Sequence, residues 1–144
     1  MIARLHSIQS YTNSNMTGVY FYDGTKLMGL EFVTQTRATA GLGNILRVER
    51  MADVSTDTST AYQSTAFTIN PTTSCIFVRL RNNGTTLYFD IALDGVSYYP
   101  VYSETVGSFI TPTDVGFGGL CSTGNGFGAQ VTLSSWVFLS TAAA

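Results

Sequence analysis

The sequence predicts an all-β fold, an antiparallel two-sheet β-sandwich, and three observations carry that expectation. The first is the stretch Ser74–Tyr102, where two runs of alternating apolar residues flank Asn83-Gly84. Asn-Gly is preferred in two-residue hairpin loops because both central residues take positive φ. The second is the recurrence of short strand-like runs, separated by turn residues, along the whole chain. The third is that no segment winds convincingly: the best helical candidate, Ile45–Ala52, alternates about as well as it winds.

Taken in order, the first fifteen residues are polar and read as an N-terminal arm or as the first strand. Thr17–Tyr22 is a strand ending in an Asp23-Gly24 turn. Lys26–Arg37 is a long run with Met28, Leu30 and Phe32 on one parity and Glu31 and Gln35 on the other, so the two sets face opposite ways. Asn44–Met51 follows, then Thr60–Ile69, a Thr-rich strand ending at Asn70-Pro71. In the hairpin, a two-residue loop sets Leu80 against Leu87, Val78 against Phe89 and Ile76 against Ile91, so these residues turn inward together. Its other face, expected to be wet, sets Arg81 against Thr86, Arg79 against Tyr88, Phe77 against Asp90 and Cys75 against Ala92. Gly95–Ser103 follows the Asp94-Gly95 turn, and Pro100 inside it argues for an edge strand or a bulge. Thr113–Leu120 and Gly128–Ser140 complete the set. Eight or nine short strands joined by turns are the pattern of a sandwich or barrel. The expected organisation is an arm or first strand over 1–15, a sandwich domain over 16–141 and a frayed tail over 142–144.

A chain of 144 residues suits one domain with a real core. Seven Lys+Arg against nine Asp+Glu give a net charge of −2. So few cations cannot build a basic patch, which argues against a nucleic-acid partner. Charged residues are only 11% of the chain, under half the usual share, and Thr and Ser take their place. Such hydroxyl-rich surfaces are expected of extracellular and virion proteins. No run of about 18 apolar residues occurs, so no membrane span is expected, and the start lacks the apolar core of a secretory signal. The two cysteines, Cys75 and Cys121, have no metal-motif spacing. Two small strand residues is the simpler reading, with a disulfide left open.

Chemistry is sparse. Glycan hydrolysis needs two carboxylates flanking one bond, and no strand carries two acids at alternating positions; Glu31 and Glu49 sit alone in theirs. The one histidine, His6, is in the polar N-terminal segment, so a Ser-His-Asp or Cys-His arrangement has little to recruit. The glycine-rich Val115–Gly119 and Gly124–Gly128 lack the lysine and helix of a phosphate cradle and read as bulges, turns and close strand approaches. Asp53 and Asp57, or Asp94 or Asp114, could offer oxygens to Ca²⁺, yet Asp in such loops serves turns for backbone reasons; no metal or other cofactor is expected. Sugar binding has more support. Tyrosine rings stack on pyranose faces while Arg and Asp satisfy hydroxyls, and Arg79, Arg81, Tyr88 and Asp90 converge on one face of the hairpin, with Tyr98 following. The plainer reading of the same residues is a cross-strand cation–π pair, Arg79 over Tyr88, that stabilises the sheet.

The stretch from Phe77 to Gly118 resembles the second half of a concanavalin A-like (laminin-G-like) jelly roll of the bacterial and phage kind. The resemblance is carried by Val78-Arg79-Leu80-Arg81-Asn82-Asn83-Gly84-Thr85-Thr86-Leu87, by Leu93-Asp94-Gly95-Val96-Ser97-Tyr98, and by Thr111-Pro112-Thr113-Asp114-Val115-Gly116-Phe117. Tyr98 stands where the family usually has Trp, and Leu93 where it has Ser. Ser134–Phe138 is similar to the family's closing strand. The resemblance implies the jelly-roll fold and, loosely, a lectin, glycanase or plain structural role. With the composition, it leads to the expectation of a non-enzymatic module on a virion surface, made in the host cytoplasm. Such a capsid decoration or fibre-type protein would dock on other virion proteins or on itself and touch host glycans. A cementing protein with no ligand is the alternative, and a glycan hydrolase the third.

Overall fold

A computed structural model describes residues 1–8, 16–37, 41–53, 58–60, 67–69, 75–120 and 130–137. Among the described residues there are eleven strands and no helix: β1 (Ile2–Ile8), β2 (Met16–Tyr22), β3 (Leu27–Arg37), β4 (Gly41–Asp53), β5 (Thr58–Thr60), β6 (Phe67–Ile69), β7 (Cys75–Asn82), β8 (Thr86–Ala92), β9 (Tyr99–Thr105), β10 (Asp114–Leu120) and β11 (Gln130–Val137). They form an antiparallel two-sheet sandwich. One sheet has the order β11-β1-β7-β8-β9; the other has the order β10-β2-β3-β4-β5, with β6 also on β4. The segment read as an arm or first strand contributes β1, which lies between β11 and β7, so His6 belongs to an interior strand. Thr60–Ile69 is not one strand. β5 pairs with the Arg50–Asp53 end of β4 and β6 with Asn44–Leu46. Asp57, Cys121, Gly124–Gly128 and the tail 142–144 lie outside the described residues.

The core is built by alternation. Met28, Leu30 and Phe32 of β3, Val19 and Phe21 of β2 and Leu46 and Val48 of β4 meet Ile76, Val78 and Leu80 of β7, Leu87 and Phe89 of β8 and Ala3 of β1. Burying each large side chain is worth about 1.5–3 kcal/mol. Phe21 and Phe89 join the two sheets edge to face, with centroids 5.5 Å apart. Ile110, from the loop before β10, plugs the interior. Beside it the Lys26 ammonium donates to the Phe109 carbonyl at 3.0 Å, and Arg50 pairs with Glu104 while lying 5.2 Å from the Phe109 ring.

The hairpin keeps its predicted faces but not its predicted register. Leu80 pairs with Phe89, Val78 with Ile91, Arg79 with Asp90 and Arg81 with Tyr88, two residues away from the alignment expected for an Asn83-Gly84 loop. The reason is the Asn83 side chain. Its Oδ1 accepts the N–H groups of Thr85 and Thr86 at 3.0 and 2.7 Å, and Asn82 Oδ1 accepts that of Gly84 at 2.8 Å. These side-chain bonds act with the backbone bond from the Asn83 N–H to the Thr86 carbonyl at 3.2 Å and centre the turn on Gly84-Thr85, with φ of +89° at Gly84. A shift of two residues leaves every side chain on its original face. At Pro100, β9 is an edge strand and its register with β8 shifts between Phe89 and Asp90, so both meanings of a strand proline apply.

Candidate functional site

The five residues singled out on the hairpin do come together, and they bind one another. Asp90 is 0% exposed, although it lies on the face expected to be wet. Two guanidinium groups cover it: Arg79 Nε–H donates to its Oδ2 at 2.8 Å, and Arg81 donates through Nε at 2.7 Å and through a terminal nitrogen at 3.2 Å. Each guanidinium stacks on a tyrosine, Arg79 on Tyr98 at 4.1 Å and Arg81 on Tyr88 at 4.2 Å from the ring centroids. The expected stacking of Arg79 on Tyr88 is thus replaced. The true register sets Arg81 opposite Tyr88, and the loop after β8 brings Tyr98 over Arg79. Gly95 in that loop, with φ of +74°, lies against the Phe77 ring, where a Cβ would come within 3.0 Å. These stacked layers exclude water from Asp90. The Asp90 carboxylate is satisfied by its two arginines, whereas the enclosed Tyr98 hydroxyl has no hydrogen-bond partner among the described residues.

The turn acids behave as backbone partners. Asp23 Oδ1 accepts the N–H groups of Thr25 and Lys26, and Asp94 Oδ1 those of Val96 and Ser97. These bonds hold both carboxyls below their ordinary pKa. Among the described residues no three acidic, histidine or cysteine side chains cluster as a metal site would require.

The outward face of the six-stranded sheet holds a polar cluster that alternation along one strand did not reveal. Glu31 of β3 stands opposite Arg47 of β4, and Glu49 stands opposite Gly29, so the two acids meet diagonally across neighbouring strands. Arg47 Nε–H donates to Glu31 Oε1 at 2.9 Å, and a terminal nitrogen of the same guanidinium pairs with Glu49. The Tyr20 hydroxyl donates to Glu31 Oε2 at 3.1 Å. Both acids are enclosed, at 0% and 2% exposure. Burial pushes the Glu31 carboxyl well above the ordinary carboxylate range, the nearby Glu49 carboxylate adds to the shift, and Arg47 opposes it. The Tyr20 hydroxyl is also raised, by burial first and by Glu31 next. The two acids are bridged by one guanidinium and closed off from solvent, so neither carboxylate is presented to a bond outside.

Glycine makes room for this packing. A Cβ at Gly29 would lie 2.2 Å from the Tyr20 ring, and one at Gly18 would lie 2.3 Å from the Leu30 carbonyl oxygen. On the edge strand β10 the glycines do the opposite of what the sequence led us to expect. Gly116 pairs with Tyr20 and Gly118 with Gly18, in regular strand, and a Cβ on either would meet nothing within 4 Å. They leave space rather than permit close approach. The result is a recess of about 360 Å³ lined by Tyr20, Tyr22, Leu27, Met51, Asp114–Gly119. Its volume falls in the range of small-ligand sites. Its walls are aromatic and aliphatic, with one carboxylate, Asp114. The strand parity of Val115-Gly116-Phe117-Gly118 was the signal that could have located it. Comparison with protein-family models, curated proteins and solved structures finds no match to this chain.

Proposed function

We propose that this chain is a non-enzymatic, lectin-like sandwich of the concanavalin A-like jelly-roll type, and that the recess beside β10 receives a glycan. The observation that carries the reading is the recess itself. Tyr22 and Phe117 offer ring faces, Gly116 and Gly118 open the floor, and Asp114 supplies an acceptor for sugar hydroxyls, the mix that pyranose binding uses. The cluster of Arg79, Arg81, Tyr88, Asp90 and Tyr98 is the second candidate surface, less favoured because its carboxylate, Asp90, is enclosed and held by the two arginines. The charge-poor, hydroxyl-rich composition and the resemblance over Phe77–Gly118 support a place on a virion surface, as a decoration or fibre-type module docked on other virion proteins or on copies of itself. A cementing role with no ligand is the alternative, favoured by the exposed Leu93 and Val96, at 78% and 82%, which stand on a loop braced by Asp94.

A glycan array probed with the whole chain, and with Gly116→Val and Tyr88→Ala, tests this. The expected result is binding that Gly116→Val removes without loss of thermal stability and that Tyr88→Ala leaves in place. No binding to any glycan, or binding lost only in Tyr88→Ala, overturns the assignment of the recess.

A further inference from the structure

Asp114 is the one charged group of the recess beside β10, and no lysine or arginine among the described residues lines it. Lys26 is turned to the Phe109 carbonyl, Arg47 to Glu31 and Arg50 to Glu104. Asp114 stands opposite Tyr22 across β10 and β2, and Gly116 stands opposite Tyr20. The carboxylate and both tyrosines therefore belong to one face of the sheet. We propose that the recess selects a cation: the part of the glycan that enters it is a quaternary ammonium substituent of the choline type.

The side chains that line the recess discriminate between ligand classes. The Tyr20 hydroxyl donates to Glu31 Oε2 at 3.1 Å, and the Tyr22 hydroxyl donates to the Gly24 carbonyl at 2.6 Å. A phenol has a single proton to donate, so neither tyrosine has one left for a ligand. Gly116 and Gly118 bring no side chain. Asp114 accepts from only some of a sugar's hydroxyls, and a pyranose seated fully in the recess would keep the rest without partners, which is costly. A primary amine matches the carboxylate in charge but still brings three N–H groups to it. A quaternary ammonium has no N–H to satisfy. Its methyl groups suit the apolar walls, its charge suits Asp114, and aromatic rings attract it. A phenol that donates a hydrogen bond also gains electron density on its ring. The two contacts that take the tyrosine protons therefore favour a cation as well. The Thr113 hydroxyl, 2.8 Å from Asp114 Oδ2, steadies the carboxylate. The sugar ring then stays at the mouth, where water meets its hydroxyls.

The cation site rests on the recess being the glycan site, and the test separates the two. Calorimetric titration of the whole chain compares choline with its uncharged isostere, which has carbon in place of nitrogen, and with ethanolamine, which keeps a charge but lacks the methyl groups. A second arm compares a choline-bearing oligosaccharide with the same oligosaccharide without choline. Choline is expected to bind, and the isostere and ethanolamine to bind at least about tenfold more weakly. Asp114→Asn, which keeps the shape of the side chain, is expected to weaken choline by about the same factor and to leave the isostere unchanged. Gly116→Val is expected to remove choline binding while thermal stability is retained. No choline binding, equal binding of the isostere, or choline binding untouched by Gly116→Val overturns the cation site. If choline fails while choline-free oligosaccharides bind the wild-type chain and not Gly116→Val, the cation site alone falls and the glycan reading stands. If choline binds but the choline-bearing oligosaccharide does no better than its choline-free form, or if phosphatidylcholine vesicles capture the chain instead, the glycan source falls and the cation site stands.

Discussion

Arg79 and Asp90 stand directly opposite one another across β7 and β8, and the arginine Nε–H reaches the buried Asp90 Oδ2 over 2.8 Å. Arg81 makes the second contact, so the carboxylate has two cations and neither alone is indispensable. Arg81→Ala is expected to destabilise by about 1 kcal/mol or less, because that side chain is 43% exposed and its pairing is screened by solvent. The double variant Arg79→Ala/Arg81→Ala leaves a buried charge with no partner and is expected to lose about 3–5 kcal/mol. That exceeds the sum of the single losses. Urea denaturation of the wild-type, single and double variants reads this directly; strict additivity contradicts the shared-carboxylate arrangement.

The enclosed Glu31 predicts a stability that falls as pH rises. Its carboxyl is raised in the folded state above its unfolded value of about 4.3. The folded chain therefore binds more protons than the unfolded chain between the two values, and unfolding free energy declines with pH across that window. The contribution is complete below about 4.3 and is lost as pH passes the raised value. Thermal unfolding measured at a series of pH values is expected to show this slope in the wild-type chain. Glu31→Gln is expected to remove it, since a neutral amide has no proton to lose.

The glycines of the six-stranded sheet divide into two kinds, and substitution distinguishes them. Gly29→Ala forces a methyl into the Tyr20 ring and Gly18→Ala drives one into backbone, so each is expected to cost about 1–3 kcal/mol as overpacking. Gly116→Ala and Gly118→Ala meet open space and are expected to be neutral or slightly stabilising, because alanine loses less backbone freedom than glycine on folding. Chemical denaturation of the four variants checks the ordering.

The hairpin turn makes a similar prediction. Asn83→Ala removes the acceptor for the Thr85 and Thr86 N–H groups and is expected to cost about 1 kcal/mol. For a chain of this size that lowers Tm by about 2–4 °C. Gly84→Ala adds strain at a φ of +89° and is expected to lower it further. Differential scanning calorimetry measures both.

Periodicity of two exposed most of the sandwich in the sequence, because each inward set, such as Met28, Leu30 and Phe32, alternates with residues of different character. Even a turn misplaced by one residue at Asn83, which shifts the pairing by two, kept Ile76, Val78, Leu80, Leu87 and Phe89 inside, since face depends only on parity. The meeting of Glu31 with Glu49 was not legible. It depends on the β3–β4 register, which no short turn dipeptide pins, and each acid looks solitary along its own strand. Nor does alternation tell whether an outward residue is wet. Asp90 is dry because two arginines and two tyrosines fold over it, an effect of long side chains rather than of strand direction. The recess was missed because glycine was taken as a sign of crowding, whereas at Gly116 and Gly118 it marks a gap.

One feature of the topology bears on how the chain reaches this state. The first strand, β1, lies between β7 and β11, so its two neighbours are synthesised much later than it is. The hairpins β2–β3, β3–β4 and β7–β8 can zip locally, but β1 must wait for β7 (Cys75–Asn82) on one edge and for β11 (Gln130–Val137) on the other. Pairing over such sequence distances slows folding and prolongs the interval in which nascent chains cross-pair. Yield on expression should therefore be limited more by the fate of this waiting strand than by the stability of the finished sandwich.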